Sequence, residues 1–295
     1  MRLAHLDGRA VLMTSDTTAV DIATASNGRF GRTLPTLYDN WKSFRAWANS
    51  FEPGSAEPIP VERSKLLNPS PEPRQVFAIG LNYREHANES GLGVPDGLPP
   101  VFTKFATCLT GPDTTVELPA GGHTDWEVEL VVVIGVRAEK VTAAEAWNYV
   151  AGLTVGQDLS ERISQLSGPA PQFSFGKSFP GFGPVGPWLV TPDEFADPDD
   201  LELGCMINGE LVQNARTRDL IYPVSQLVEM LSAGVPLLPG DLLFTGTPSG
   251  VGLGRTPQRW LRGGEALRSW IEGIGELNQT FVDSSQPHPS QGRTA

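Results

Sequence analysis

The segment Asp125-Trp126-Glu127-Val128-Glu129-Leu130 runs straight into Val131-Val132-Val133-Ile134-Gly135, and it constrains the fold of this chain more than any other. It reads as a strand that ends as a wholly apolar run. Successive strand side chains alternate faces, so Glu127 and Glu129 point the same way while Trp126, Val128 and Leu130 point the other way and read as core. Two carboxylates about 6–7 Å apart along one strand repel each other. They tolerate that arrangement only if water, a cation or basic side chains stand between them.

From Val76 onward the pattern is mostly of short strands separated by Gly, Pro and Asp turns. Asn208-Gly209, inside LGCMINGELVQ, is a two-residue hairpin signal. Helices are few: TAAEAWNYV, with Thr142 as its cap, and SQLVEMLSAG, closed by Gly234. Thirty-two glycines and 26 prolines fit a turn-rich sheet protein. Residues 71–282 are therefore expected to form a large domain, mainly β with α/β elements. Residues 1–70 read as a separate small α+β domain, in which Leu37, Trp41, Phe44, Trp47, Ala48 and Phe51 mark one amphipathic helix. The proline- and acid-rich stretch 51–75 reads as a linker or edge-hugging loop, and residues 283–295 as a polar, disordered tail.

Bulk properties exclude several classes of function. The longest apolar run, near Leu130 to Val136, falls far short of the roughly 20 residues a spanning helix needs. The first residues carry neither a basic nor an apolar signal region, so a cytoplasmic protein without a membrane partner is expected. Cys108 and Cys205 have no Cys-x-x-Cys neighbour and read as reduced, buried thiols. Acidic residues number 34 against 22 basic ones, a net charge of −12 with no basic stripe, which argues against nucleic acid as a partner. An anionic substrate would need a local patch of positive charge.

Four places carry candidate chemistry. Asp158, in YVAGLTVGQDLS, offers a third carboxylate to Glu127 and Glu129, and a hard divalent cation takes several oxygen ligands. Spacing alone equally allows a solvated face and an unrelated turn aspartate. In GLNYREHANESG, His86 and Glu89 share a face if the segment is helical. A carboxylate on an imidazole fixes its tautomer and raises its basicity, although an ordinary surface pair has the same spacing. His5, His123 and His288 lie in less telling settings. Lys177, in FSFGKSFPGFGPVGPW, stands among aromatics and glycines, where desolvation lowers a lysine pKa, or is a plain loop lysine. TGTPSGVGLG lacks the Gly-Lys-Ser/Thr of a nucleotide loop but can offer hydroxyls and N–H groups to a carboxylate ligand.

GLNYREHANE, FTKF, GPDTTVELP, DWEVELVVVIG, YVAGLTVGQDLSER, GKSFPGFGPVGPWLV, INGELVQ, PGDLLFTGTPSGVG and IEGIGEL follow one another in this order. Together they resemble the fumarylacetoacetate hydrolase family over about residues 70 to 282. The resemblance implies a β-sandwich roll as catalytic domain, paired as a homodimer, and Mg²⁺ (or Mn²⁺ or Ca²⁺) held by Glu127, Glu129 and Asp158. It places His86 and Glu89 on the family's His–Glu dyad, in a segment that can order over the ligand, and Lys177 on the lysine of its GKSF motif. Arg162, Gln165 and Thr247 fall on substrate contacts. Pro180, where many members have Asp, and Gln157, where many have Asn, depart from the pattern without removing a ligand.

The activity so implied is a divalent-metal-dependent hydrolase acting on a small anionic 2-oxo acid. It would cleave a C–C bond of a 2,4-dioxo acid, either an acylpyruvate or a 2,4-dioxo-3-deoxy sugar acid. The products would be pyruvate or a related 2-oxo acid plus a carboxylic acid. A 2-oxo-acid decarboxylase and an enol/keto isomerase are the rivals on the same scaffold, and a non-catalytic 2-oxo-acid-binding protein is the third expectation.

Overall fold

Strand Val128–Ile134 is buried at every position, and its alternating side chains enter two different cores. Val128, Leu130, Val132 and Ile134 join Leu203, Cys205, Ile207, Leu267 and Phe281. Val131 and Val133 on the opposite face join Leu34, Leu37, Trp41 and Phe44. A strand apolar on both faces has to lie between two layers, and this one does: helices on one side, a second sheet on the other.

The computed structural model describes residues 1–91, 93 and 97–287. Among these, the larger sheet has 12 strands. Ten of them follow one path, Ile59–Pro60, Thr18–Asp21, Arg9–Met13, Arg2–Leu6, Gly183–Val190, Val150–Gln157, Val128–Ile134, Leu242–Phe244, Val76–Ile79, Val101–Thr103, while Leu66–Leu67 pairs with Arg2–Leu6 and Leu109–Thr110 with Gly183–Val190 off it. The smaller sheet has five strands, in the order Glu210–Arg216, Glu202–Ile207, Ala266–Ile271, Gly275–Pro287, Asp113–Ala120. A ribbon of Thr124–Asp125 and Ser160–Glu161 stands beside them. The protein is mainly β, with two packed sheets and helices at the margins.

Several expectations are met. Asn208 and Gly209 both have positive φ, 50° and 83°, and turn a hairpin between Glu202–Ile207 and Glu210–Arg216. The helix expected near residue 230 is Val224–Gly234. Others are not. The single amphipathic helix is two, Leu34–Tyr38 and Trp41–Ser50, interrupted at Asp39-Asn40 while Leu37, Trp41, Phe44 and Ala48 still face the core. Thr142 does not cap a helix: its hydroxyl donates to Glu145, and Ala143–Tyr149 is a 3₁₀ segment.

Residues 1–70 share the large sheet with the rest of the chain, because Arg2–Leu6 pairs antiparallel with Gly183–Val190. The proline-rich stretch hugs sheet edges, with Ile59 opposite Ala19 and Leu67 opposite His5. The expected tail is ordered at its start. Gly275–Pro287 continues beside Asp113–Ala120, pairing Asp283 with Leu118 and Pro287 with Ala120. A neighbouring strand supplies backbone hydrogen bonds that a polar sequence needs no apolar side chains to make. Residues 288–295, with His288, lie outside the described residues.

Candidate active site

Strand register assembles the carboxylates. Val128 faces Gln157 across the antiparallel pair, and the next residue, Asp158, donates its N–H to the Glu127 carbonyl at 2.9 Å. Asp158 thus arrives beside Glu127, with Glu129 two residues along the same face. Oxygens of the three carboxylates lie within 4.8 Å of one another, and all three side chains are buried.

Basic groups crowd this cluster. Lys177 Nζ lies 2.6 Å from Glu127 Oε2, 2.7 Å from Asp158 Oδ2 and 2.8 Å from Ser160 Oγ. It gets there because Gly176 lets helix Phe173–Gly176 press on Arg162–Leu166; a Cβ at Gly176 would meet Gln165 N at 2.6 Å. Arg162 bridges Glu127 Oε1 at 2.7 Å and Asp125 Oδ2 through Nε and Nη2, at 2.9 and 2.7 Å. Its Nη1 donates to Gln165 Oε1 at 2.8 Å.

Burial raises the Glu127 carboxyl, but Lys177 and Arg162 more than reverse this and hold it at about 2. Glu129 is pushed well above the usual carboxylate range, first by burial and then by the negative charges of Asp158 and Glu127. Burial lowers Lys177, and Asp158 and Glu127 outweigh it, so the amine stays cationic.

The donor set fits a divalent cation. Glu129 accepts from Gly246 N at 2.8 Å, and a buried, oxygen-only trio of carboxylates is the kind of donor set that a hard divalent ion takes. Gly246, at φ 103°, is needed for that approach, since a Cβ there would fall 2.7 Å from Asn82 Cβ.

The structure brings His86 and Glu89 together. Helix Arg84–Glu89 places His86 Nδ1 2.9 Å from Glu89 Oε1, and Glu89 is held in turn by Gly250 N at 3.0 and 3.1 Å. A carboxylate at Nδ1 favours the Nδ1–H tautomer and leaves Nε2 as the basic nitrogen.

His86, Glu127, Arg162, Gln165, Lys177 and Thr247 line one cavity with about 50 Å³ of free interior, room for a few waters. Glu89, Glu129 and Asp158 do not reach its wall. Thr247 lines the cavity with its hydroxyl already committed, donating to Val128 O at 2.9 Å and accepting from Gln213 Nε2 at 2.8 Å. The departing Gln157 is structural: it accepts from Glu127 N at 2.9 Å and donates to Ser269 Oγ at 2.8 Å. Pro180 is exposed.

Two buried residues belong to the site without having been singled out. Lys104 donates to Asp158 Oδ1 at 2.6 Å and to the Lys177 carbonyl, with its ammonium 5.7 Å from the Phe244 ring centre. A lone lysine inside the apolar FTKF run was the available signal. Asp125 anchors Arg162 and accepts from Gly252 N at 2.6 Å and Leu253 N at 2.9 Å. Its signal was an acid beginning an otherwise buried strand.

Residues 75–282 match the model of the fumarylacetoacetate (FAA) hydrolase C-terminal family. A Mycobacterium smegmatis protein assigned as HpcE is 55% identical, with a TM-score of 0.90 over 97% of this chain and 100% of that one. The 5-carboxymethyl-2-hydroxymuconate delta-isomerase of M. smegmatis is 31% identical, with a TM-score of 0.74 over 97% and 100%. Maleylpyruvate hydrolase from Sphingobium sp. SYK-6, solved with manganese(II) and pyruvate, is 29% identical, with a TM-score of 0.78 over 97% and 100%.

Proposed function

The chain belongs to the fumarylacetoacetate hydrolase family, and from that premise we propose that it is a divalent-metal-dependent hydrolase cleaving the C3–C4 bond of a 2,4-dioxo acid. The observation that carries this reading is the His86–Glu89 pair, whose imidazole opens on the same cavity as Glu127, Arg162 and Lys177. The homodimer implied by the family belongs to the same proposal.

Glu127, Glu129 and Asp158 would hold the cation, which when bound supplies Lewis-acid polarisation and countercharge. Arg162 and Lys177 supply the local positive field that draws a carboxylate into a chain of net charge −12. His86, oriented by Glu89, takes a proton from water at Nε2. The water oxygen bonds to C4, and the C3–C4 bond breaks with its electron pair left on C3. The proton held at His86 passes to C3, which becomes the methyl group of pyruvate, while the acyl half leaves as a carboxylic acid. One water is consumed and nothing is oxidised. The Lys177 ammonium faces the negative charge that develops during cleavage.

Isomerase chemistry is the second reading, favoured by the likeness to the delta-isomerase; there His86 would move a proton between carbons of one substrate. Incubation with Mn²⁺ or Mg²⁺ and an acylpyruvate, a 2,4-dioxo-3-deoxy sugar acid or oxaloacetate, with products read by mass, separates the readings. Pyruvate plus an acid, summing to substrate plus water, is expected. A product of unchanged mass means the isomerase, loss of CO₂ a decarboxylase, and tight binding without turnover a binding protein.

A further inference from the structure

The cavity has two unlike halves. Its floor holds His86, Glu127, Arg162 and Lys177. Its outer wall is hydrocarbon: Ile79 is buried, Leu81, Phe102, Phe173 and Leu253 are half-buried, and Leu166 is 46% exposed at the mouth. Phe102 and Phe173 meet edge to face, ring centres 5.6 Å apart. Leu81 is held at φ 57°, a conformation that a bulky residue adopts only where its surroundings impose it.

Among the described residues, Arg162 and Lys177 are the only Arg or Lys side chains lining the cavity. Both are drawn to the floor, within 2.7 Å of Glu127. Lys177 Nζ passes 5.2 Å from the Phe102 ring centre but is committed to Glu127 and Asp158, and among the described residues Ser90 is the one polar side chain of the outer wall. A second carboxylate or a row of hydroxyls placed there would lose water without gaining a partner. An alkyl or aryl group placed there would gain from burial.

We infer that the site takes 2,4-dioxo acids whose acyl arm is apolar, alkanoyl- or aroylpyruvates, and discriminates against those whose arm carries a second carboxylate or a polyol. The inference rests on the proposed function, in that it seats the 2-oxo-acid head on the floor.

The test uses the full-length Mn²⁺-loaded protein and two measurements. Calorimetry compares the inert probes 4-phenyl-2-oxobutanoate and 2-oxoglutarate, and kinetics compares acetyl-, butanoyl-, hexanoyl- and fumarylpyruvate. The phenyl acid is expected to bind at least about tenfold tighter, with kcat/KM rising roughly three- to fourfold per added methylene and fumarylpyruvate at least about tenfold below butanoylpyruvate. Leu166→Arg, at an exposed position, is expected to shift the affinity ratio towards 2-oxoglutarate by about tenfold or more. Equal or reversed probe affinities, binding of neither probe, or an unmoved ratio in Leu166→Arg would overturn the inference. Preference for the phenyl acid without turnover of any acylpyruvate supports the inference and removes the hydrolase reading, so the two fail separately.

Discussion

Asp125 holds three parts of the site at once: Arg162, and the backbone N–H groups of Gly252 and Leu253 in the loop that also steadies Glu89 through Gly250. An amide has one acceptor where this carboxylate uses two, and its NH₂ would face donors. Asp125→Asn should therefore cost roughly 3 kcal/mol of stability, the scale of a broken buried ion pair, and raise KM as Arg162 loses its anchor. Thermal melts and steady-state kinetics check both; an unchanged KM would mean that Arg162 is positioned by Glu127 and Gln165 alone. His5 gives a pH-dependent counterpart outside the site. Burial pushes its pKa below 6.5, partly offset by its bond to the Asn68 carbonyl. The folded state thus binds this proton less readily than the unfolded chain. The contribution is fully present above the unfolded value and lost as pH falls below 6.5 towards the folded one. Urea midpoints should drop more between pH 7.5 and 5.5 for the natural chain than for His5→Gln, and parallel curves would contradict the assignment.

At the scale of elements, the site is a consequence of register. Glu127 and Glu129 on one face was legible in DWEVEL from strand alternation alone, and the structure adds that the facing strand delivers Asp158 opposite Glu127. Sequence spacing could not supply that step, because which strands pair is a long-range property. The His86–Glu89 pair was legible because it is local, three residues apart on one helix. Lys104 and Asp125 carry no such local signal, since their partners lie 54 and 37 residues away. The first 70 residues read as a separate unit because composition changes around them, whereas sheet continuity is made by backbone hydrogen bonds that composition does not encode. Gly246 is the junction most exposed to substitution: Gly246→Ala places a methyl against Asn82 in a backbone conformation that disfavours L side chains. It should cost at least about 1–3 kcal/mol and weaken Mn²⁺ binding by disturbing the N–H that meets Glu129. Thermal melts with and without Mn²⁺ measure both, and a variant as stable as its parent would show that the loop yields freely.

Across the whole molecule, two sheets and a helical layer bury a cluster of like charges that elementary electrostatics disfavours. What makes it tolerable is the set of cations converging from three separate segments: Lys104, Arg162 and Lys177. In a chain of net charge −12, these three cations are matched to buried carboxylates, and among the described residues no helix is long and apolar enough to cross a membrane. In the proposed mechanism metal binding and proton transfer reside in different residues, Glu127, Glu129 and Asp158 for the first and His86 for the second, of which His86 and Glu127 line the cavity. The most direct test is pyruvate release from an acylpyruvate by the natural chain and His86→Ala, each with its bound Mn²⁺ measured. His86→Ala is expected to keep its metal and to lose activity by about 10²–10⁴-fold, with EDTA silencing both proteins. Full turnover in His86→Ala, or turnover that survives EDTA, would contradict the mechanism.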